Sequence, residues 1–328
     1  MKLGICGTGQ ISEQLMRNAV KIEGIQIVSV VHREKEKAVI FAEKHRIPYA
    51  FHQMDDFLKC DIDTVYIGLP NSLHYETAEK CICAGKHVLV EKPFVSNMAE
   101  LNQLIRLAEE HDVMILEVNR IVYLPNIVWI KQNLPYMGTI KKIEVSYCKC
   151  SRKYNDYLAG NRPNVFTAEY SGGALMDLGV YGLHFMYELF GFPKEITYHC
   201  CKLDTGVDCE GVIELDYGKW NSMIQISKVT NGMSNVKIYG EKARIEFDYA
   251  PSILKQGIFI NDLFESESHC HQEDNFYYFL KNACIIIDSN DRNEADRLMK
   301  KSIQIISLLD NARKQCDIFF PADMEARS

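Results

Sequence analysis

Over its first 120 residues the chain alternates short β-branched runs with helix-periodic stretches. That pattern belongs to βαβ units and a doubly wound parallel sheet. Strands are expected at Leu3–Cys6, Ile25–Val31, Thr64–Ile67, His87–Val90 and Met114–Val118, and helices at Ile11–Ile22, Lys35–His45, Leu73–Ala84 and Met98–His111. Gly85 has the character of a C-cap, and Asn97 with Glu100 that of a capping box. From about residue 139 the texture changes. The runs Ile140–Cys150, Glu195–Leu203, Gly211–Asp216, Ser222–Val229, Ser234–Ile238 and Ala243–Phe247 are β-rich with turn residues between them. Too little helix separates the later ones for crossovers, so antiparallel hairpins are expected. Helices are expected at Gly173–Phe190, Glu273–Ile287 and Arg292–Lys314. The fold class is therefore α/β followed by an α+β domain with a large, mostly antiparallel, open-faced sheet, and 328 residues favour two domains. An uncovered sheet face invites a second copy, so a homodimer or homotetramer is expected.

The first strand runs into Gly7-Thr8-Gly9-Gln10-Ile11-Ser12 and then a helix. Glycine at 7 permits a tight turn, glycine at 9 lets a pyrophosphate approach the backbone, and the helix start supplies free N–H groups. Small Ser12 keeps helix and strand close. A G-x-G-x-x-G spacing alone is a weak signal, and its place between strand and helix is what makes it a dinucleotide site. The domains expected are thus residues 1–120, a dinucleotide-binding Rossmann domain, and 121–328, a substrate-binding and oligomerisation domain. At the tip of the second strand His32 and Arg33 stand where an NAD site usually carries an acid, which comes one position later as Glu34. Arg33, with Lys37 beyond it, suits a 2′-phosphate, so NADP is the preferred cofactor, with NAD the alternative.

The remaining composition narrows the partners. Hydrophobic residues make up 47% and charged residues 25%, as in a soluble globular chain. A net charge of −7 without a Lys/Arg stripe argues against nucleic acid or an anionic membrane, leaving a small-molecule substrate as partner. No apolar run approaches the roughly 20 residues of a membrane span, and glycines come too early for a secretory leader. The 12 cysteines include no C-x-x-C pair and no cluster has metal-ligand spacing, so no metal and a reduced, cytoplasmic setting are expected.

At Val88-Leu89-Val90-Glu91-Lys92-Pro93 the chain resembles the glucose–fructose oxidoreductase / inositol dehydrogenase (Gfo/Idh/MocA) family of nicotinamide-dependent enzymes. The glycine loop, Pro70-Asn71-Ser72-Leu73-His74, Gly85-Lys86-His87-Val88 and Gly172-Gly173-Ala174-Leu175-Met176-Asp177-Leu178-Gly179-Val180-Tyr181 carry the same resemblance, which runs to about residue 190. It implies an enzyme that moves a hydride between NAD(P) and a sugar, polyol, diol or matching carbonyl compound. The active site would lie between the two domains. The family places an acid/base four residues after the aspartate, here Tyr181 after Asp177, as in the dihydrodiol and xylose dehydrogenase branch.

The residues themselves agree with that chemistry. Lys92 closes a parallel strand at its carboxyl end, where α/β sheets place ligands, and Pro93 stops the ladder there. Asp177, Tyr181, His184 and Glu188, spaced +4, +3 and +4, fall on one face of an otherwise apolar helix. A phenol ordinarily titrates near pH 10, and a neighbouring ammonium favours its anion. The expectation is that Tyr181 exchanges the proton, Lys92 orients the substrate oxygen and tunes Tyr181, and Asp177 fixes a substrate hydroxyl or Lys92. His184 is a weaker candidate for the substrate site. Pro70, Asn71, His74 and Glu91 are expected to touch the cofactor, and Glu117 and Arg120 to border the substrate. Arg120 follows Glu117 sooner than the family's commoner form has it, and the intervening aromatics are missing, which leaves substrate identity open. The loop Arg152–Tyr170, with Arg152, Tyr154, Arg162, Asn164 and Phe166, suits a substrate lid or a connector. Two other readings stay open: an NAD(P)-binding regulator without turnover, and an NAD-dependent glycosidase on the same fold.

Overall fold

The computed structural model describes residues 1–268 and 273–325. The chain divides into two compact units, one of residues 1–119 with 276–303 and one of 120–275 with 304–328.

In the first unit the strands β1 (Lys2–Cys6), β2 (Gln26–Val31), β3 (Tyr49–Phe51), β4 (Thr64–Ile67), β5 (His87–Val90) and β6 (Ile115–Glu117) form a parallel sheet in the order β3-β2-β1-β4-β5-β6. The helices between them are α1 (Gln10–Ala19), α2 (Lys35–His45), α3 (Met54–Leu58), α4 (His74–Cys83) and α5 (Met98–Glu110). Leu3, Ile5, Val30, Val65, Tyr66, Ile67, Val88, Leu89 and Val90 are all buried, as in a sheet covered on both faces. The strand order reverses between β1 and β4, so ligands of such a sheet meet the carboxyl ends of those strands. The expected capping box closes around α5: Asn97 Oδ1 accepts from Glu100 N at 3.0 Å, and Glu100 Oε2 accepts from Ser96 N at 2.8 Å.

Residues 276–303, expected with the second domain, are compact with the first. Phe276, Phe279, Leu280 and Ala283 bury one face of a helix, and the Phe276 ring meets Tyr66 of β4 edge-on at 6.1 Å. Asp288 holds the N-terminal ammonium at 2.9 Å, and Ser302 Oγ donates to Glu117 at 2.6 Å. An apolar helix face announces burial but not which sheet buries it.

The second unit holds α6 (Pro125–Asn133), α7 (Tyr154–Leu158), α8 (Val180–Phe190) and eight strands. These are β7 (Ile140–Cys148), β8 (Glu195–Lys202), β9 (Asp208–Asp216), β10 (Asn221–Ser227), β11 (Ser234–Gly240), β12 (Ala243–Phe247), β13 (Gly257–Asn261) and β14 (Glu265–Glu267), in the order β14-β13-β12-β11-β7-β10-β9-β8. Every neighbouring pair is antiparallel except β7 with β10, which run parallel because the long stretch between them returns the chain to the same end. The helices α9 (Asn275–Asp288) and α10 (Arg292–Gln315) follow, and α11 (Ala322–Glu325) ends the described chain.

One face of this sheet is core. Ile143, Val145, Ile213, Leu215, Ile224, Ile226, Val236, Ile238 and Ile245 alternate inward and are buried. The segment Leu175–Gly179, wound as a π-helical turn, and α8 pack on that face. They come so close that a Cβ on Gly182 would sit 2.6 Å from Ile224 Cγ2. The expected helix Gly173–Phe190 is thus one continuous element with a wide first turn.

Candidate active site

The glycine loop takes the conformation its sequence requires. Gly7 has φ +100°, a Cβ there would lie 2.7 Å from Gly68 O, and its N–H donates to Val31 O at 3.0 Å. Gly9 is extended and begins α1 without a side-chain cap, so the first N–H groups of the helix have no intrahelical partner. A Cβ on Gly9 would meet nothing within 4 Å. An uncapped helix start beside open backbone is the cradle a phosphate takes, with Thr8, Gln10 and Ile11 around it. Ser12 is fully buried, its Oγ 3.1 Å from where a Cβ on Gly68 would be, which accounts for the small third residue.

At the tip of β2, Arg33 is 87% exposed. Glu34 is not positioned as a lone acceptor: Lys37 Nζ bonds its Oε1 at 2.7 Å and Arg33 Nε stands 3.9 Å away. The Lys37 hydrogen bond holds its carboxyl below the ordinary value. His32 accepts from Glu34 N through Nδ1 at 3.0 Å, closing a small turn. The tip therefore presents two cations and one neutralised acid.

Lys92 follows β5 and is half-buried, and its peptide bond to Pro93 is cis. Its neighbours are fixed. Glu91 is buried and accepts from Tyr66 OH at 2.9 Å, while Phe94, Val95, Ser96 and Asn97 are buried beyond it. His74, expected to reach the cofactor, is fully buried instead, with Nδ1 3.0 Å from Pro93 O and Nε2 2.9 Å from Leu69 O. Burial lowers its pKa. One ring N–H donates to one of these carbonyls and the ring packs against the other, so His74 sits between the turn after β4 and the turn after β5 at Pro93 rather than facing a ligand. Pro70 and Asn71, half-buried at the start of the short helix before α4, stand on the same carboxyl side of the sheet as Lys92. Glu117 is buried with its carboxylate on Ser302.

In the second unit the wide turn and α8 carry Asp177 and Tyr181. Tyr181 is mostly buried, its ring 5.9 Å from that of Tyr147. The Asp177 side chain is 33% exposed and is ion-paired with the Lys228 ammonium in a very short contact. Lys228 is almost wholly buried and lies 6.0 Å from the Phe166 ring. His184 is buried, and Glu188 pairs with Lys131 at 2.5 Å. Of the expected polar stripe, then, Asp177 keeps the greatest access, while Glu188 belongs to a structural ion pair.

Below this turn sits Asp208, buried, whose Oδ2 accepts from Leu175 N and Tyr198 OH, each at 2.6 Å. Desolvation raises its pKa, and the nearby Lys228 charge opposes that rise. Gly173 has φ +114°, and a Cβ there would collide with Asp208 Oδ1, while one on Gly172 would lie 2.7 Å from Asn164 O and Val165 O, which explains the glycine pair ahead of Asp177. The sequence pattern marks neither Lys228 nor Asp208 as a site residue.

The loop 152–170 is tied down. Tyr157 OH donates to Asp204 at 2.6 Å, Arg162 pairs with the same carboxylate at 2.8 Å, and Tyr154, Tyr157 and Phe166 form one aromatic cluster. Arg152 and Asn164 are exposed on it, and Arg120 is buried.

Comparisons with known proteins agree with these two halves. A family model described as an oxidoreductase family with an NAD-binding Rossmann fold matches residues 1–119, and a GFO/IDH/MocA C-terminal domain matches residues 136–246. The chain is 32% identical over 325 residues to scyllo-inositol 2-dehydrogenase (NADP(+)) IolU of Bacillus subtilis, spanning 98% of this chain and 99% of that protein. It is 30% identical over 267 residues to a trans-1,2-dihydrobenzene-1,2-diol dehydrogenase of Xenopus laevis, spanning 78% of this chain and 79% of that one. Among solved structures, KijD10, a 3-ketoreductase from Actinomadura kijaniata in complex with NADP and TDP-benzene, shares the fold, with a TM-score of 0.85 at 20% identity over 98% of this chain and 99% of that chain.

Proposed function

Because the chain belongs to the GFO/IDH/MocA oxidoreductase family, with an NAD-binding Rossmann domain at residues 1–119, we propose that it transfers a hydride between NADP(H) and a sugar, polyol or diol, or the matching carbonyl compound. The observation that carries this reading is the uncapped start of α1 beside the open backbone of Gly9. It lies on the side of the sheet from which Lys92 also emerges.

When bound, the nicotinamide supplies the hydride acceptor or donor. The chain's own residues do the rest. Lys92, its backbone held by the buried segment behind it, orients the substrate oxygen with its ammonium. Tyr181 takes the hydroxyl proton in the oxidation and returns it in the reduction. Asp177 binds a substrate hydroxyl. Arg33 and Lys37 receive the 2′-phosphate, with Glu34 already occupied by Lys37; the NADP(+) named for the Bacillus relative supports that preference. The inositol and dihydrodiol named for the relatives support a vicinal diol or cyclic polyol as the substrate class.

A second copy would dock on the uncovered sheet face, where Met223 and Gln225 are exposed, giving a homodimer or homotetramer. The compartment that fits the reading is the cytoplasm. Among the described residues no helix is long and apolar enough to cross a membrane.

The test incubates the purified protein with a polyol and aldose panel and follows reduced-cofactor absorbance alongside product analysis. Net conversion of cofactor is expected, and Tyr181→Phe should lower turnover by about 10²–10⁴-fold with cofactor binding kept. Sugar cleavage without net cofactor change, or no reaction, would overturn the proposal.

A further inference from the structure

The Asp177 carboxylate does not stand alone, and what holds it is a residue with no place in the reaction outlined above. Lys228 directly follows the last residue of β10, where its backbone N–H donates to Cys209 O at 2.9 Å and fixes it beside the start of β9. Ile224 and Ile226 precede it on the strand's inward face, so the ammonium enters from the end of an apolar stretch. Its side chain is only 6% exposed. An ammonium removed from water to that degree needs a charged partner, and Asp177 is that partner.

The pair is asymmetric. The cation is immobilised in the core, whereas the carboxylate it holds is 33% exposed. Asp208, the other carboxylate near Lys228, has its Oδ2 already engaged by the Leu175 N–H and the Tyr198 hydroxyl. The wide turn Leu175–Gly179 is therefore gripped twice: Asp208 holds its backbone at Leu175, and Lys228 holds its side chain at Asp177. Tyr181 follows one turn later on the same element.

We propose that Lys228 is the positioning residue of Asp177, fixing the orientation in which that carboxylate receives a hydroxyl of the substrate. This rests on the reading of Asp177 and Tyr181 given under the proposed function. Lys228 itself touches no reacting atom. A neutral side chain of equal length would remove the ion pair that orients Asp177 and would cost affinity for the hydroxyl that Asp177 binds. A guanidinium would keep the charge and most of the orientation.

The experiment compares Lys228→Met and Lys228→Arg with the wild type, all as NADP(H)-loaded protein. For Lys228→Met we expect kcat/KM lower by about 10–150-fold, the equivalent of one hydrogen bond to a charged group, with the cofactor Kd unchanged. Lys228→Arg should recover most of the loss. In a Tyr181→Phe background, where turnover is suppressed, Lys228→Met should weaken equilibrium binding of the polyol by a similar factor. Combined with Asp177→Asn it should add little, since both substitutions remove one interaction. Wild-type kcat/KM in Lys228→Met would overturn the proposal, as would losses that multiply with those of Asp177→Asn. If Lys228→Met does not fold, Lys228→Gln carries the same comparison, and failure of both to fold makes the residue structural and likewise overturns it. A wild-type protein that turns over no polyol or aldose with either cofactor refutes the parent reading instead, before any variant is measured.

Discussion

Replacing Gly9 by alanine separates what the glycine loop does for the fold from what it does for the cofactor. Gly9 has φ −77° and ψ −178°, a conformation any L-residue adopts, and a Cβ there would touch nothing within 4 Å. Within the protein alone the substitution is unopposed. It narrows the unfolded ensemble, so it should stabilise by about 0.4–1 kcal/mol, or about 1–4 °C for a unit of this size. The same methyl group projects into the space a pyrophosphate needs beside the first N–H groups of α1. Losing one charge-assisted hydrogen bond costs roughly 1.5–3 kcal/mol, so the NADPH Kd should rise by about 10–150-fold. Gly7 gives the internal control. With φ +100° and Gly68 O 2.7 Å from its added Cβ, Gly7→Ala should destabilise by about 1–3 kcal/mol or more. Thermal unfolding of the cofactor-free variants and fluorescence titration with NADPH read the two effects independently. An unchanged NADPH Kd in Gly9→Ala would refute the placement of the pyrophosphate, and a fall in melting temperature matching that of Gly7→Ala would refute the backbone argument.

Three other outcomes follow from local contacts. Arg33→Ala with Lys37→Ala should shift the NADPH/NADH ratio of kcat/KM by about 10–100-fold toward NADH, since a charge-assisted contact to the 2′-phosphate is lost; an unchanged ratio would move the 2′-phosphate site elsewhere. His74 has a folded-state pKa lowered by burial, so as pH falls the unfolded chain takes the proton first. Its contribution is full above about pH 6.5 and is lost as pH drops from there through the folded value; urea unfolding of wild type and His74→Gln between pH 8 and pH 5 should therefore converge toward the acid end. Arg313 is fully buried between Asp310 at 2.7 Å and Asp323 at 2.8 Å, with its guanidinium 4.2 Å from the Phe320 ring centre. Arg313→Met removes the cation from two carboxylates and should cost about 3–5 kcal/mol in urea unfolding, whereas a loss under 1 kcal/mol would mean water reaches the pair.

What could be read from the chain before its fold follows the range of the forces involved. The glycine loop, the Asn97–Glu100 box and the strand before Lys92 depend on residues a few positions apart, and each appears where its spacing placed it. The short edge strand Tyr49–Phe51 and the strand Gly257–Asn261 leave no legible signal, because three to five residues at a sheet margin carry too little periodicity to stand out. The sequence does not show that α9 and the first half of α10 are compact with the first unit, since Phe276 and Ser302 do not declare their partners Tyr66 and Glu117.

His74 shows a subtler failure. Its place at the carboxyl side of the sheet suggests a ligand contact, yet both ring nitrogens face backbone carbonyls, and no sequence pattern reveals where a carbonyl will point. Lys228 is the extreme case. It lies 51 positions from Asp177 and looks like any lysine closing a strand. Only the fold shows that Ser227 and Lys228, adjacent residues that should face opposite ways, are both buried. A strand end that buries two polar neighbours must satisfy both, here with Glu210 for Ser227 and Asp177 for Lys228. The charge that governs Asp177 is thus set by the pairing of β9 with β10, which brings residues 208 and 228 under the turn that residues 172 and 173 make possible.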